Sequence, residues 1–238
     1  MRQIFAVGLL FLLLSEGYTQ QNTSRSAALR DRYDHREFMR SNTAHQRIDV
    51  QNIDTALLNA AIFHITNQER DLSGLPLLKY SVLLEKIAAR HSGNMVRLDF
   101  FSHSSPVRGE KNLPQRLSRE GIENTHAAEN IADVTGIEYE NGRLVYTPLQ
   151  NGGYFSYSYR GEPILPHTYL GLARKIVRAW MNSDGHRKNI LNPRYKYVGV
   201  GAVYYRNSAF FNMDHFKVTQ IFTANDRPLQ KTPRATRK

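Results

Sequence analysis

The most regular feature of the chain is a helical repeat of apolar residues in its first half. After Asn52 and Asp54, either of which can cap a helix N-terminus, apolar residues recur every three or four positions until Gly74 and Pro76 interrupt the pattern. The apolar residues of this repeat are Leu58, Ile62 and Ile65. We therefore predict a first helix between these boundaries.

Two further segments have the same periodicity. One begins after Ser81, and the other runs from about residue 168 to residue 182, with Gly185 beyond it as a residue suited to a left-handed helix end. The apolar face of the second predicted helix consists of Leu84, Ala88, His91, Met95 and Leu98. Because His91 shares this face, we interpret it as a hydrogen-bonded core histidine.

The C-terminal part changes to the alternating pattern of strands. Residues 198–204 place apolar side chains at every second position, and residues 216–222 do the same except at Gln220, which predicts two strands of a sheet flanked by the helices. Before them, residues 136–160 are rich in Tyr, Gly and Asn, and the pair Asn141-Gly142 favours a type I′ turn. We predict a hairpin there, followed by a strand or a loop that presents aromatic rings.

The two ends of the chain differ from the centre. Residues 4–14 form an apolar run that is too short to span a membrane, so residues 1–19 are predicted to be a signal peptide, with an uncleaved anchor as the alternative. Residues 20–52 are read as a polar, loosely packed leader, and residues 226–238 as a disordered basic tail. The folded domain is expected at residues 53–225, without a transmembrane segment.

Composition narrows the chemistry. The chain has 238 residues with 32 Lys plus Arg against 21 Asp plus Glu, a net charge of +11, nine His and no Cys. The absence of Cys excludes disulfides, thiolate metal sites and a cysteine nucleophile. Export without disulfides favours a bacterial source and a secreted, periplasmic or cell-envelope location, where the charge would meet an anionic surface or polysaccharide rather than nucleic acid.

Three groups of motifs resemble one family in the expected order. The first comprises NQER at 67–70, GLPL at 74–77, HSGNM at 91–95 and FFSHSS at 100–105. The second comprises Arg116, Gly121 and AENIA at 128–132, and the third WMNSDGHRKNIL at 180–191, VGVGA at 198–202 and TQIF at 219–222. Together they resemble the bacterial, cysteine-free branch of the CAP superfamily, whose domain is also called SCP-like.

The resemblance implies a fold and a site. The fold is a three-layer α-β-α sandwich around a central antiparallel sheet, and the site is a surface cleft that holds two histidines and two acidic residues. His103, Glu129 and His186 match three of these positions. The fourth is Ser183 here, and we do not count the adjacent Asp184 as its replacement because one residue rotates a helical side chain by about 100°.

The three matched side chains suggest two kinds of chemistry. His103 and His186, both expected on turns, could bind a divalent metal such as zinc with an open position, or Glu129 could accept a proton while the imidazoles polarise a ligand. A structural role, in which Glu129 and Asn130 hold loops in place by accepting and donating backbone hydrogen bonds, is the alternative.

Three functions therefore remain open. The leading hypothesis is an exported CAP-domain protein whose cleft binds a small ligand or a divalent metal. The second is a metal-assisted peptide hydrolase that uses the same cleft, and the third is adhesion to anionic envelope or glycan surfaces through the basic tail. The sequence contains neither a Gly-x-Ser-x-Gly elbow nor a phosphate-binding loop, and no residue is assigned as catalytic.

Overall fold

The computed structural model describes residues 29–30, 32–123 and 125–226. The predicted signal peptide lies outside these residues, as does the predicted basic tail apart from Asp226. None of the helices within the described ranges combines the length and the apolar character needed to cross a membrane.

One four-stranded sheet forms the centre of the fold. Its strands are β1 (Lys79–Tyr80), β2 (Ala127–Thr135), β3 (Tyr197–Asn207) and β4 (Met213–Thr223). They lie in the order β1-β3-β4-β2. β4 pairs antiparallel with both β3 and β2, whereas the two-residue β1 runs parallel to β3. The two predicted strands are confirmed as the central antiparallel pair, and β2 forms one edge of the sheet.

Within the described part of the chain, six α-helices with complete bounds surround this sheet, and the three predicted ones are confirmed. The helices are α1 (His35–Arg40), α2 (Thr55–Leu72), α3 (Val82–Arg97), α4 (Leu113–Arg119), α5 (Tyr169–Met181) and α6 (Asp184–Ile190). The side chains of Asp54, Ser81 and Thr168 each accept a hydrogen bond from a backbone N–H in the first turn of α2, α3 and α5.

Side chains that alternate between the two faces of β3 explain why helices pack on both sides of the sheet. Val198 and Val200 point into the main core, where α2 and α5 pack against the sheet. Gly199 and Gly201 point the other way, and a Cβ atom on either would lie 2.2 or 2.1 Å from the backbone of α3. The backbone of α3 can therefore lie directly on the sheet, and the predicted α-β-α sandwich is confirmed.

The packed part of the chain begins earlier than the predicted boundary at residue 53. Phe38, Ala44 and Ile48 are completely or almost completely buried in the main core. Asp34 caps α1 with a reciprocal capping box that includes Glu37. These three core residues are not spaced at a helical or strand period. The polar residues around them therefore predict a loosely packed leader, although the structure packs this segment.

The predicted hairpin in residues 136–160 has different pairing. Ile137 forms its bridge with Pro166, and Tyr146 forms its bridge with Ser156. The turn at Asn141-Gly142 exists, but only Gly142 has a positive φ, of 84°, so it is not the type I′ turn that requires positive φ at both residues. Pairing with distant residues, rather than across the short turn, therefore organises this segment.

The end of α5 also differs from the prediction. Ser183 interrupts the helix, and Asp184 starts the short helix α6, in which Gly185 has no positive φ. His186 consequently lies in the first turn of a helix rather than on a turn after one.

Candidate functional site at the edge of the sheet

The site forms around two consecutive residues of the edge strand β2. Successive strand side chains point to opposite faces of a sheet. Glu129 therefore points towards α3 and α4, whereas Asn130 points towards α6 and hydrogen-bonds with Asn189. The edge strand thus connects the two helical layers at one place.

The Glu129 carboxylate is buried and fully engaged. Its side chain is 4% exposed. Oε1 lies 2.9 Å from Nδ1 of His103, and Oε2 accepts a hydrogen bond of 2.6 Å from Nη2 of Arg116. Arg116, itself completely buried on α4, also donates from Nη1 to the backbone carbonyls of His103 and Glu110. The arginine therefore fixes both Glu129 and the loop that carries His103.

These contacts determine the charge of Glu129. Burial raises the pKa of its carboxyl. The hydrogen bond from His103 and the charge of Arg116 lower the pKa by a larger amount, so it lies below the ordinary value. Glu129 is therefore an anion at neutral pH. An anionic acceptor at Nδ1 selects the His103 tautomer whose proton is on Nδ1, which leaves the lone pair of Nε2 free to accept a proton or bind a ligand.

His103 is the exposed member of the pair. Its side chain is 56% exposed, in contrast to that of Glu129. The ring of His186 lies opposite, with 6.3 Å between the two ring centroids. Burial and the neighbouring His103 lower the pKa of His186, which favours its neutral form. The structure therefore brings the three predicted side chains together.

His91 lies beneath this site. Its ring is completely buried, and Nε2 contacts the carbonyl of Ser102 at 3.1 Å and Oε1 of Glu129 at 3.8 Å. Burial lowers the pKa of His91. These contacts agree with the interpretation of His91 as a core histidine, and they also link it to the loop before His103.

The opposite face of β2 supports His186. Nδ2 of Asn130 donates to the backbone carbonyl of His186 at 3.3 Å, and Nδ2 of Asn189 donates to Oδ1 of Asn130 at 2.9 Å. This amide pair places the first turn of α6 against the edge strand. The donation from Asn130 to a backbone carbonyl agrees with the structural role that the sequence suggested for it, whereas Asn189, 59 positions away, was assigned no role.

Ser183 and Asp184 do not complete the set. Ser183 is the N-cap residue of α6 but makes no capping hydrogen bond with its side chain. Within the described ranges, no group of three or more His, Cys, Asp or Glu side chains is arranged to hold a metal ion. Because both oxygens of Glu129 are engaged, a metal at this place would have only the imidazoles of His103 and His186 as protein ligands.

Comparison with known proteins gives the family. The sequence profile of CAP, the cysteine-rich secretory protein family, matches residues 63–222. The Bacillus subtilis protein YkwD is 32% identical over 143 residues, which are 60% of this chain and 41% of that protein. The membrane protein YlbC of the same organism is 29% identical over 140 residues, which are 59% of this chain and 30% of that protein.

Solved structures include similar domains. An extracellular protein with an SCP domain from Bacillus anthracis is 27% identical, with a TM-score of 0.44, over 69% of this chain and 39% of that chain. The matched region thus covers less than half the length of each of these relatives. Since the family profile matches more than half of the 238 residues, the chain belongs to the CAP family, although it contains no cysteine.

Proposed function

We propose that this CAP-domain protein is exported and that its cleft at His103, Glu129 and His186 binds a small ligand or a divalent metal ion such as zinc. The observation that carries the proposal is the pairing of a buried carboxylate with an exposed imidazole. Glu129 engages Nδ1 of His103 from below, while more than half of the His103 side chain remains accessible.

Each residue has a distinct part in this proposal. Ionised Glu129 holds the His103 ring by its Nδ1–H group, as carboxylates do behind metal-binding histidines. His103 and His186 would hold the occupant with their free ring nitrogens, and a bound zinc ion would supply Lewis acidity there. Arg116 keeps Glu129 ionised, and so acts on the imidazole through the carboxylate.

The hydrolase alternative does not find its general base in Glu129. A general base needs an accessible lone pair and a pKa near the working pH. Glu129 is buried, both of its oxygens are engaged, and its pKa is lowered.

The adhesion alternative depends on the tail at residues 226–238, and export depends on the sequence of residues 1–19. Adhesion and export both stay predictions.

Zinc titration by calorimetry tests the leading proposal. We expect the protein to bind zinc, and His103→Ala and His186→Ala each to lower the affinity at least about tenfold, because each removes one of two protein ligands. His126→Ala is the matched control, since His126 is an exposed histidine directly before β2. An equal loss in all three variants would mean unspecific binding to surface histidines, and no binding by the parent protein would refute the metal version.

A further inference from the structure

A second concave surface lies along the outer face of α5. Residues 171, 174, 175, 178, 179 and 182 recur at helical spacing on the side opposite the buried residues of α5. With His167, Glu138 and Tyr139, they line an open cavity of about 520 Å³. We call this surface the α5 groove.

The α5 groove carries an excess of positive charge. Arg174 and Arg178 are exposed, and neither forms an ion pair with a carboxylate from the described part of the chain. Glu138, the acidic residue of the groove, is paired with Arg47 at 3.0 Å. The two arginines are four residues apart on α5, so their backbone positions are about 6 Å apart along the helix axis.

A third cation, Lys175, lies at the bottom of the α5 groove. Lys175 is half-buried, and its Nζ donates to Oγ1 of Thr135 at 2.6 Å and to the carbonyl of Tyr139 at 3.3 Å. Nε2 of His167 lies 3.4 Å from the same Nζ. Burial and the charge of Lys175 lower the pKa of His167 to about 4, so His167 is neutral at physiological pH and can accept from Lys175. The lysine charge is therefore held in a fixed place.

The floor between these charges is formed in part by small residues. Gly171 has no side chain and Ala179 has only a methyl group, whereas Tyr139 presents its carbonyl to Lys175 and packs its ring against Phe210 in a neighbouring cluster. The small residues leave room for the ring of a sugar, while the guanidinium groups bind carboxylates in two-point contacts. A bare polyphosphate has no ring to fill this space.

We propose that the α5 groove binds an acidic polysaccharide, with carboxylates paired to Arg174 and Arg178 and sugar rings placed over the small residues Gly171 and Ala179. This site is separate from the cleft at His103 and uses none of its residues. It would also assign a binding role to part of the positive charge of the folded domain, in addition to the charge of the tail.

The experiment measures binding of a galacturonic-acid oligosaccharide to the full mature chain. The double variant Arg174→Gln/Arg178→Gln is compared with the charge-matched control Arg194→Gln/Lys196→Gln, which removes two exposed cations before β3. We expect the groove variant to lose about tenfold or more in affinity, the scale of a lost charge-assisted contact, and the control to stay close to the parent protein. Binding should weaken as salt rises.

Two further probes separate the alternatives. Poly-glutamate carries carboxylates without sugar rings, and polyphosphate carries another anion; the proposal expects both to bind more weakly than the oligosaccharide. Tighter binding of either would overturn the assignment to a polysaccharide. An equal loss in both double variants, or no binding of the oligosaccharide to the parent protein, would overturn the site. Thermal unfolding of all variants checks that they are folded.

Discussion

Two glutamates of this protein are buried to nearly the same extent, yet their surroundings differ. The Glu110 cluster comprises Glu110, 1% exposed in its side chain, with Arg90, Arg119 and Asn94. The Glu129 cluster comprises Glu129, 4% exposed, with Arg116, His103 and His91. Both carboxylates are paired with arginine, as buried charges must be.

The partners show what distinguishes the two clusters. The partners of Glu110 connect the loop after α3 to α3 and α4, and all of them are arginine or asparagine side chains. Glu129 instead holds an imidazole that is 56% exposed. Burial of a carboxylate is therefore common to both clusters, and the exposed imidazole that it holds distinguishes the Glu129 cluster.

Arg116 connects the two clusters. One guanidinium nitrogen donates to the carbonyl of Glu110, and another donates to the carboxylate of Glu129. Its removal should therefore damage both, and it is the largest effect that we expect.

Arg116→Met should lower the free energy of unfolding by about 3–5 kcal/mol, because it leaves the buried Glu129 without its main counter-charge. Urea denaturation at pH 7 measures this loss. A loss below about 1 kcal/mol would show that Glu129 does not depend on Arg116, and the shared-arginine account would be wrong. Arg119→Met is a suitable control, since the Arg119 side chain is more than half exposed and contacts only the Glu110 cluster.

Acid should destabilise the protein through its buried histidines. Burial lowers the pKa of His64 to about 4, against 6.5 in the unfolded chain. Between these values the unfolded state binds the proton and the folded state does not, so stability is full above pH 6.5 and falls as the pH drops towards 4. The share of His64 is about 3 kcal/mol, and His167 adds to it with the same sign.

Urea denaturation across this pH range tests the histidine contribution. His64→Gln should show a smaller fall in unfolding free energy between pH 7 and pH 4 than the parent protein. An unchanged fall would place the acid sensitivity elsewhere, in the Glu129 cluster for example. The two glutamate clusters should accordingly be compared at pH 7 or above, where these histidines are neutral.

Local patterns predicted much of the fold but little of the site. The N-caps Asp54, Ser81 and Thr168 act within one helical turn, so the sequence next to them sufficed to place α2, α3 and α5. The pairing of Ile137 with Pro166 is determined by tertiary packing, so the local turn signal at residues 141 and 142 predicted the wrong partners.

The site depends on contacts that no local pattern contains. His103 is 26 residues and Arg116 13 residues away from Glu129, and only the family resemblance suggested that His103 and Glu129 would meet. The role of Arg116 was missed altogether, because a buried arginine in a short helix has the same sequence signal as an exposed one. Only its contacts with Glu129, Glu110 and His103 in the folded structure show this role.

The two variants with the smallest expected effect on folding are also the most informative pair. Glu110→Gln and Glu129→Gln keep the size of each side chain and remove its charge, and each should lower the free energy of unfolding by about 1–3 kcal/mol through weakened hydrogen bonds. Stability alone will therefore not separate the two clusters.

Zinc affinity separates them most directly. At pH 7, with both variants confirmed as folded, calorimetric titration should show a 10–100-fold lower affinity for Glu129→Gln, the range for a lost carboxylate behind a metal-binding histidine. Glu110→Gln should bind zinc as the parent protein does. Equal zinc affinity in the two variants would contradict the central claim that the buried Glu129 prepares His103 for binding.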